Sequence, residues 1–215
     1  MNFENQKGIF DPNEQETNII IIGAGSTGSF ITLNLAKMGI ENIKVIDFDK
    51  VEEHNIPNQF YRLQDKDRLK VEALKEIVKD FTGVEIETEN IKVDENYTFD
   101  VGLNTIIIFC VDNMEARKLI YEKIKELPII LIDTRMGGLG FQIYSIDLSN
   151  ERQKKKYENN LITTTAETPC GEKSIIFTIL NIASETCNII KKIEKKEKYP
   201  TNLKREMNSY IILHN

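Results

Sequence analysis

The chain has 215 residues, 40% apolar and 29% charged, a balance that fits one globular domain and excludes a disordered chain. Its formal net charge of -6 argues against nucleic-acid binding, which calls for a basic surplus. The longest apolar run, Ile106 to Val111, is too short to cross a bilayer, so no membrane span is expected.

The first 17 residues are polar and acidic. They read as a flexible or lightly docked arm, not as a signal or transit peptide. Residues 18–215 then form a single domain. Asn18 to Gly23 is a buried strand, a glycine-rich turn follows, and Ser26 to Met38 is helical through Ile31, Leu35 and Met38. Ile43 to Phe48 is a second strand with an acidic tip at Asp47 and Asp49. Lys66 to Phe81 is a helix, and the alternating Val84 to Ile91 a half-exposed strand. Thr105 to Val111 is a central buried strand, Asn113 to Glu126 a helix, and Ile129 to Asp133 and Gly140 to Ile146 are further strands. Residues 149–169, polar and lysine-rich, are expected to be a mobile surface loop. Gly171 to Lys196 is the longest helix, and Ser209 to Leu213 a last edge strand. Alternating strands and helices predict an α/β, Rossmann-like fold, a mostly parallel sheet with helices on both faces.

Gly23-Ala24-Gly25-Ser26-Thr27-Gly28 is a Gly-x-Gly-x-x-Gly turn between a strand and a helix. Such a turn brings backbone close to a phosphate, and the helix start at Ser26 offers N–H groups to an anion. Asp47 stands about twenty residues on, where a ribose-binding acid belongs. These features predict a nucleotide site and do not separate ATP from NAD.

The next residues separate them. Asp47-Phe-Asp49-Lys-Val51-Glu-Glu-His54-Asn55-Ile-Pro-Asn58-Gln59 resembles the Asp-x-Asp-x-Val-x-x-Ser-Asn-Leu-x-Arg-Gln pattern of the ThiF/MoeB/ubiquitin-activating enzyme family. Lys70-Val71-Glu72-Ala73 resembles that family's Lys-Val-x-Ala, and Asp112-Asn113-Met-Glu-Ala-Arg117 its Asp-Asn-x-x-x-Arg. Cys170, before the last long helix, also has a counterpart in many members. The resemblance covers about residues 18–196 in order.

It implies a Rossmann-like adenylation domain, working as a homodimer or pseudodimer. The family's carboxylate substrate attacks the α-phosphate of ATP, giving an acyl-adenylate and pyrophosphate. The usual substrate is the C-terminal Gly-Gly of a ubiquitin-like or sulfur-carrier protein. By resemblance Asp47 holds the ribose, Asn55 and Lys70 touch the phosphates, and Asp112 binds Mg²⁺. Asp49 is expected to order the following loop. Arg117 is left open between pairing with Asp112 and serving the site, and Asp112 between metal binding and capping the next helix.

The chain departs from the family at three points. The arginine of the family's Asn-Leu-x-Arg-Gln is Asn58 here, which brings no charge; Arg62 or Arg68 is expected to stand in. No arginine precedes Arg62, where many members donate one across the dimer. No Cys-x-x-Cys pair is present, so no zinc is expected.

The three cysteines, Cys110, Cys170 and Cys187, are unclustered, which argues for a reducing compartment, the cytoplasm. Cys110 and Cys187 read as core. Cys170, at a helix start, is the candidate for a covalent carrier adduct. Three alternatives remain: adenylation of a peptide or tRNA-borne carboxylate, a catalytically weak nucleotide-binding partner subunit, and an NAD-dependent oxidoreductase.

Overall fold

Four consecutive isoleucines, Ile19 to Ile22, show how the sheet is covered. In an extended strand they alternate, so Ile19 and Ile21 join one apolar cluster and Ile20 and Ile22 the other. Burial on both faces is what a parallel sheet between two helical layers requires. The computed structural model describes residues 1–163, 175–209 and 211–214.

That strand, β1 (Asn18–Ile22), pairs in parallel with β2 (Ile43–Ile46) on one side and β4 (Thr105–Phe109) on the other. The short β3 (Glu87–Glu89) extends the sheet beyond β2, and β5 (Ile130–Gly137) lies parallel to β4. From β5 the sheet continues antiparallel through β6 (Gly140–Asp147), β7 (Asn202–Glu206) and β8 (Ile211–His214). The full order is β3-β2-β1-β4-β5-β6-β7-β8. Successive crossovers from β1 run outward to β2 and β3, then reverse to β4, so the chain switches direction between β1 and β4. In an open α/β sheet the crevice at the carboxyl ends of those two strands is where ligands bind.

Helices α1 (Ser26–Met38), α2 (Lys70–Thr82) and α5 (Ile176–Glu194) contribute buried residues to one apolar cluster. Helices α3 (Met114–Ile124) and α4 (Glu151–Thr163) contribute to the other. The expected α/β architecture is therefore the observed one. No helix among the described residues is long and apolar enough to cross a membrane.

Three differences from the expected elements have physical causes. Residues 151–163 form helix α4 where a mobile loop was expected over 149–169. Asn150 caps it, its side chain accepting from the backbone N–H of Arg152 and Gln153. Lys154, Tyr157 and Leu161 recur at helical spacing and are buried. Strand β7 was not anticipated: Asn202-Leu-Lys-Arg-Glu206 buries only Leu203 and is held by its two neighbours.

The N-terminal residues are more firmly docked than a flexible arm. Phe10 is buried in the core, and Gln6 Nε2 donates to the carbonyl of Met38 at 2.7 Å. Phe3 and Pro12 press on Gly39 so closely that a Cβ there would lie within 2.7 Å of both.

Candidate functional site

The glycine turn joins the end of β1 to the start of α1. Gly23 has φ +101°, and a Cβ on it would lie 2.6 Å from the carbonyl oxygen of Cys110. A side chain at Gly28 would overlap the carbonyl oxygen of Gly23. These two glycines therefore let the turn seat directly on the end of β4. Gly25 is different, with only Gln59 Nε2, at 4.0 Å, near the space a side chain would take. Gly25 is also the N-cap of α1, where no side chain accepts a backbone hydrogen bond and no acid occupies the first turn. The helix start at Ser26 thus offers N–H groups and a partial positive charge to an incoming anion.

Asp47, just past β2, braces this turn. Its Oδ2 accepts from the backbone N–H of Ala24 at 2.6 Å, and its Oδ1 from that of Asp49 at 2.7 Å. Burial raises the Asp47 carboxyl above its usual range, while Lys70 and the two backbone donors pull it back. Asp49 turns outward and accepts from Lys70 Nζ at 2.8 Å. Lys70 opens α2 with its side chain only 8% exposed, and Asp49 is its one hydrogen-bond partner among the described residues. An ammonium carries three donors, so Lys70 retains capacity for phosphate oxygens. Asn55 is buried, and its Oδ1 accepts from the backbone N–H of Glu52, which orders the short turn after Asp49.

Asp112 follows β4, two residues beyond the carbonyl that abuts Gly23. It is exposed, with no protein partner among the described residues. The cap of α3 is Asn113, whose Oδ1 accepts from Ala116 N at 2.7 Å. Asp112 therefore does not cap the helix. Arg117 does not pair with Asp112 either. It is buried, donates through Nη1 to Asp133, and through Nη2 to the carbonyls of Val111 and Thr134.

Arg62 and Arg68, expected to replace the absent arginine at Asn58, are occupied elsewhere. Arg62 bonds Asp65, Glu76 and Asp80, while Arg68 bonds Asp65 and Glu76. Each guanidinium is tied to two or three carboxylates, which removes it as a spare phosphate-binding cation. Asn58 itself is half-buried in the same connection. Cys170 lies outside the described residues. Burial pushes the thiols of Cys110 and Cys187 each up to about 12; Cys187 lies in the core, and Cys110 is partly buried against it.

Tyr61 was not foreseen. Its hydroxyl donates to the carbonyl of Ala24 at 2.6 Å, and burial raises its pKa well above the usual value, so it remains a donor. Asp133 and Arg135 were also missed. Their weight comes from partners on other elements, which no local motif records.

The donor set fits Mg²⁺. The exposed Asp112 would suffice if a phosphate were bound beside it, because Mg²⁺ is commonly held by one or two carboxylates together with substrate phosphates. Among the described residues no group of three or more His, Cys, Asp or Glu side chains could hold a metal alone.

The chain is similar to the NEDD8-activating enzyme E1 catalytic subunit of Arabidopsis thaliana, 33% identical over 115 residues, covering 53% of this chain and 25% of that one. It is similar to ubiquitin-like modifier-activating enzyme 5 of Caenorhabditis elegans, 30% identical over 116 residues, covering 48% of this chain and 28% of that one. The chain thus spans about a quarter of the length of these curated relatives. Its fold matches the crystal structure of PaaA with a TM-score of 0.71 at 20% identity, covering 95% of this chain and 73% of that one. It matches E. coli MccB, crystallised with AMPCPP and MccA, with a TM-score of 0.75 at 14% identity, covering 95% of this chain and 65% of that one. The ThiF family profile matches residues 13–214. With its glycine turn, lysine and aspartate at one sheet edge and a family match along almost its whole length, the chain belongs to the ThiF family.

Proposed function

We propose that this chain is an ATP-dependent adenylyltransferase acting on a carboxylate, with a ubiquitin-like or sulfur-carrier protein as substrate. The observation that carries this reading is the edge at the end of β1 and β4. There the start of α1, without a side-chain cap, and Asp112, without a partner among the described residues, flank the crevice where the chain reverses direction along the sheet. A phosphate at that helix start has Lys70 as the nearby buried cation and Asp112 as the ligand for Mg²⁺.

The chemistry needs charge neutralisation rather than a proton shuttle. A carboxylate oxygen forms a bond to the α-phosphorus as the bond from that phosphorus to the pyrophosphate oxygen breaks. The electron pair leaves with pyrophosphate. Negative charge therefore builds at the phosphates, where the N–H groups of α1 and the Lys70 ammonium are preorganised to receive it. Asp47 and Asn55 fix the ground on which the nucleotide sits. Two relatives named as activating enzymes for ubiquitin-like proteins support the carrier-protein substrate. MccB, crystallised with MccA, keeps a peptide substrate as the second reading.

Thermal melts with Mg²⁺–ATP and with NAD test the reading. A ligand at about a hundred times its Kd adds about 2.7 kcal/mol to stability. Stabilisation by Mg²⁺–ATP that weakens in Asp112→Ala is expected. Stabilisation by NAD alone overturns the reading.

A further inference from the structure

Asp112 lies in a short span that neither a strand nor a helix holds. Strand β4 ends at Phe109, and Cys110 N still donates to the carbonyl of Ile22 at 2.8 Å. Helix α3 begins only at Met114. Between them Val111 is partly buried and Asp112 exposed. There the Val111 carbonyl accepts from Arg117 Nη2, and the same nitrogen donates to the carbonyl of Thr134 at 2.9 Å. Arg117 thus reaches back from α3 and ties the peptide group before Asp112 to β5. A peptide unit is planar, so holding the Val111 carbonyl also fixes the direction in which the chain enters Asp112.

The guanidinium that does this is itself locked. Its Nη1 donates to Asp133, whose side chain is fully buried. Asp133 also accepts from the Tyr157 hydroxyl at 2.9 Å and from Arg135 Nε at 2.7 Å. Tyr157, on α4, is buried against Tyr121 of α3 and Tyr144 of β6, with ring centres 5.2 and 5.4 Å away. Burial raises its hydroxyl well above the usual value, so it stays a donor. Thr134 Oγ1 donates to the carbonyl of Phe109 at 2.7 Å, which closes β4 onto β5 beside the Arg117 bonds.

Charge neutralisation alone does not account for the arrangement. Pairing with Asp133 occupies only Nη1. The other terminal nitrogen is spent on two main-chain carbonyls, one of them in the peptide that leads into Asp112. A lysine ammonium is a point charge on a flexible stem and cannot reproduce this fork across a carboxylate and two carbonyls. Groups that orient a metal-binding side chain from behind commonly change metal affinity by about tenfold or more when they are lost.

We infer that Arg117 is a positioning residue for Asp112, holding the candidate Mg²⁺ ligand from behind, with Asp133 and Tyr157 as its anchors. The inference rests on the adenylation reading for the link to Mg²⁺, while the clamp on the Val111–Asp112 peptide rests on the Arg117 bonds themselves. Arg117 acts only through Asp112 and touches neither ion nor nucleotide.

Two measurements on the full chain test this. In the ¹⁵N-labelled protein without nucleotide, the heteronuclear NOE of the Asp112 amide reports how firmly the span is held. Arg117→Lys should lower it while the β1 amides keep their wild-type values. Calorimetry with ATP in Mg²⁺ and in EDTA then separates metal from nucleotide. Arg117→Lys should weaken Mg²⁺–ATP binding about tenfold and leave metal-free ATP within about twofold. In an Asp112→Ala background the same change should cost nothing further. Equal weakening with and without Mg²⁺, or the full loss in the Asp112→Ala background, overturns the positioning role, because a merely structural arginine would act that way. An unchanged NOE at Asp112 overturns the clamp. If Arg117→Lys does not fold, Tyr157→Phe removes one donor from the same carboxylate and should give a smaller, Mg²⁺-specific loss and a lowered NOE; wild-type values there overturn the proposal. Failure of the wild-type protein to bind Mg²⁺–ATP would sink the adenylation reading, while the NOE comparison still decides the clamp, so the two failures are distinguishable.

Discussion

Tyr61 and Asp47 hold the two backbone ends of a single residue. The Tyr61 hydroxyl donates to the carbonyl of Ala24, and Asp47 accepts from its N–H, at 2.6 Å in both cases. The peptide between the two key glycines of the turn is thereby fixed before any ligand arrives. Fixed donors need no reorganisation when charge develops.

Replacing Tyr61 by Phe should expose the value of that brace. The Ala24 carbonyl would lose its buried donor, at a cost of about 1–3 kcal/mol. Urea unfolding should show that loss, and calorimetry should show Mg²⁺–ATP binding weakened roughly tenfold, about 1.4 kcal/mol. Wild-type affinity in a folded Tyr61→Phe protein would show that the turn does not need this brace.

Lys70→Met should weaken Mg²⁺–ATP binding and move its acid limb to higher pH. Lys70 is the largest influence lowering an Asp47 carboxyl that burial has raised, so its loss raises that carboxyl further. A raised carboxyl means the folded state binds the proton more tightly than the unfolded chain. Stability therefore falls as pH rises from the unfolded value through the folded one, and the fall should be larger in the variant. Nucleotide affinity measured across the acid range checks the first point, and unfolding curves check the second. An unmoved acid limb would disconnect Asp47 from binding.

Asp65→Asn should destabilise the chain without weakening nucleotide binding. The Asp65 side chain is fully buried and accepts from both Arg62 and Arg68, though each arginine is about one-third exposed. Solvent screening at the arginines limits the expected loss to about 2 kcal/mol. Burial works against the Asp65 charge, but the Arg62 bonds and the Arg68 charge prevail and hold the carboxyl below its usual value. The stabilisation is present above the unfolded carboxyl's range and is lost as pH falls through the folded value. The gap between wild type and variant in urea should therefore close in strong acid. Arg62→Ala should likewise leave the Kd for Mg²⁺–ATP unchanged within about twofold, because this guanidinium is committed to carboxylates.

Cys110 and Cys187 should resist alkylation in the native protein. With both thiols pushed up to about 12 by burial, almost no thiolate exists near neutral pH. In a Cys170→Ser variant, iodoacetamide should label neither cysteine until denaturant is added, when mass spectrometry should find both. Rapid native labelling would place one of them outside the core.

Much of the site was legible because its residues sit beside the elements that position them. Gly23 to Gly28, Asp47, Lys70 and Asp112 each adjoin a strand or helix end, so local pattern and a family resemblance find them together. The rest depends on what folding brings close. Arg62 reads as a free cation until Asp65, Glu76 and Asp80 surround it. Arg117 stays open between Asp112 and the site until Asp133, sixteen residues on, takes its Nη1. Helix α4 reads as a loop because its buried stripe includes Lys154, a lysine whose ammonium reaches Glu126 while its stem is covered. In these three cases a charge has a partner on another element.

The docking of the first residues onto Gly39 has a mechanical consequence. Helix α1 is a rod of 13 residues, about 20 Å long, with the glycine turn at one end and Gly39 at the other. Phe3, Gln6 and Pro12 grip the far end, while Lys195, just past α5, reaches the carbonyl of Ile9. The rod is pinned at its tail, so a small tilt there sweeps its tip across the mouth of the crevice. Any force that lifts the first dozen residues therefore acts at a distance on the free backbone N–H groups at the start of α1.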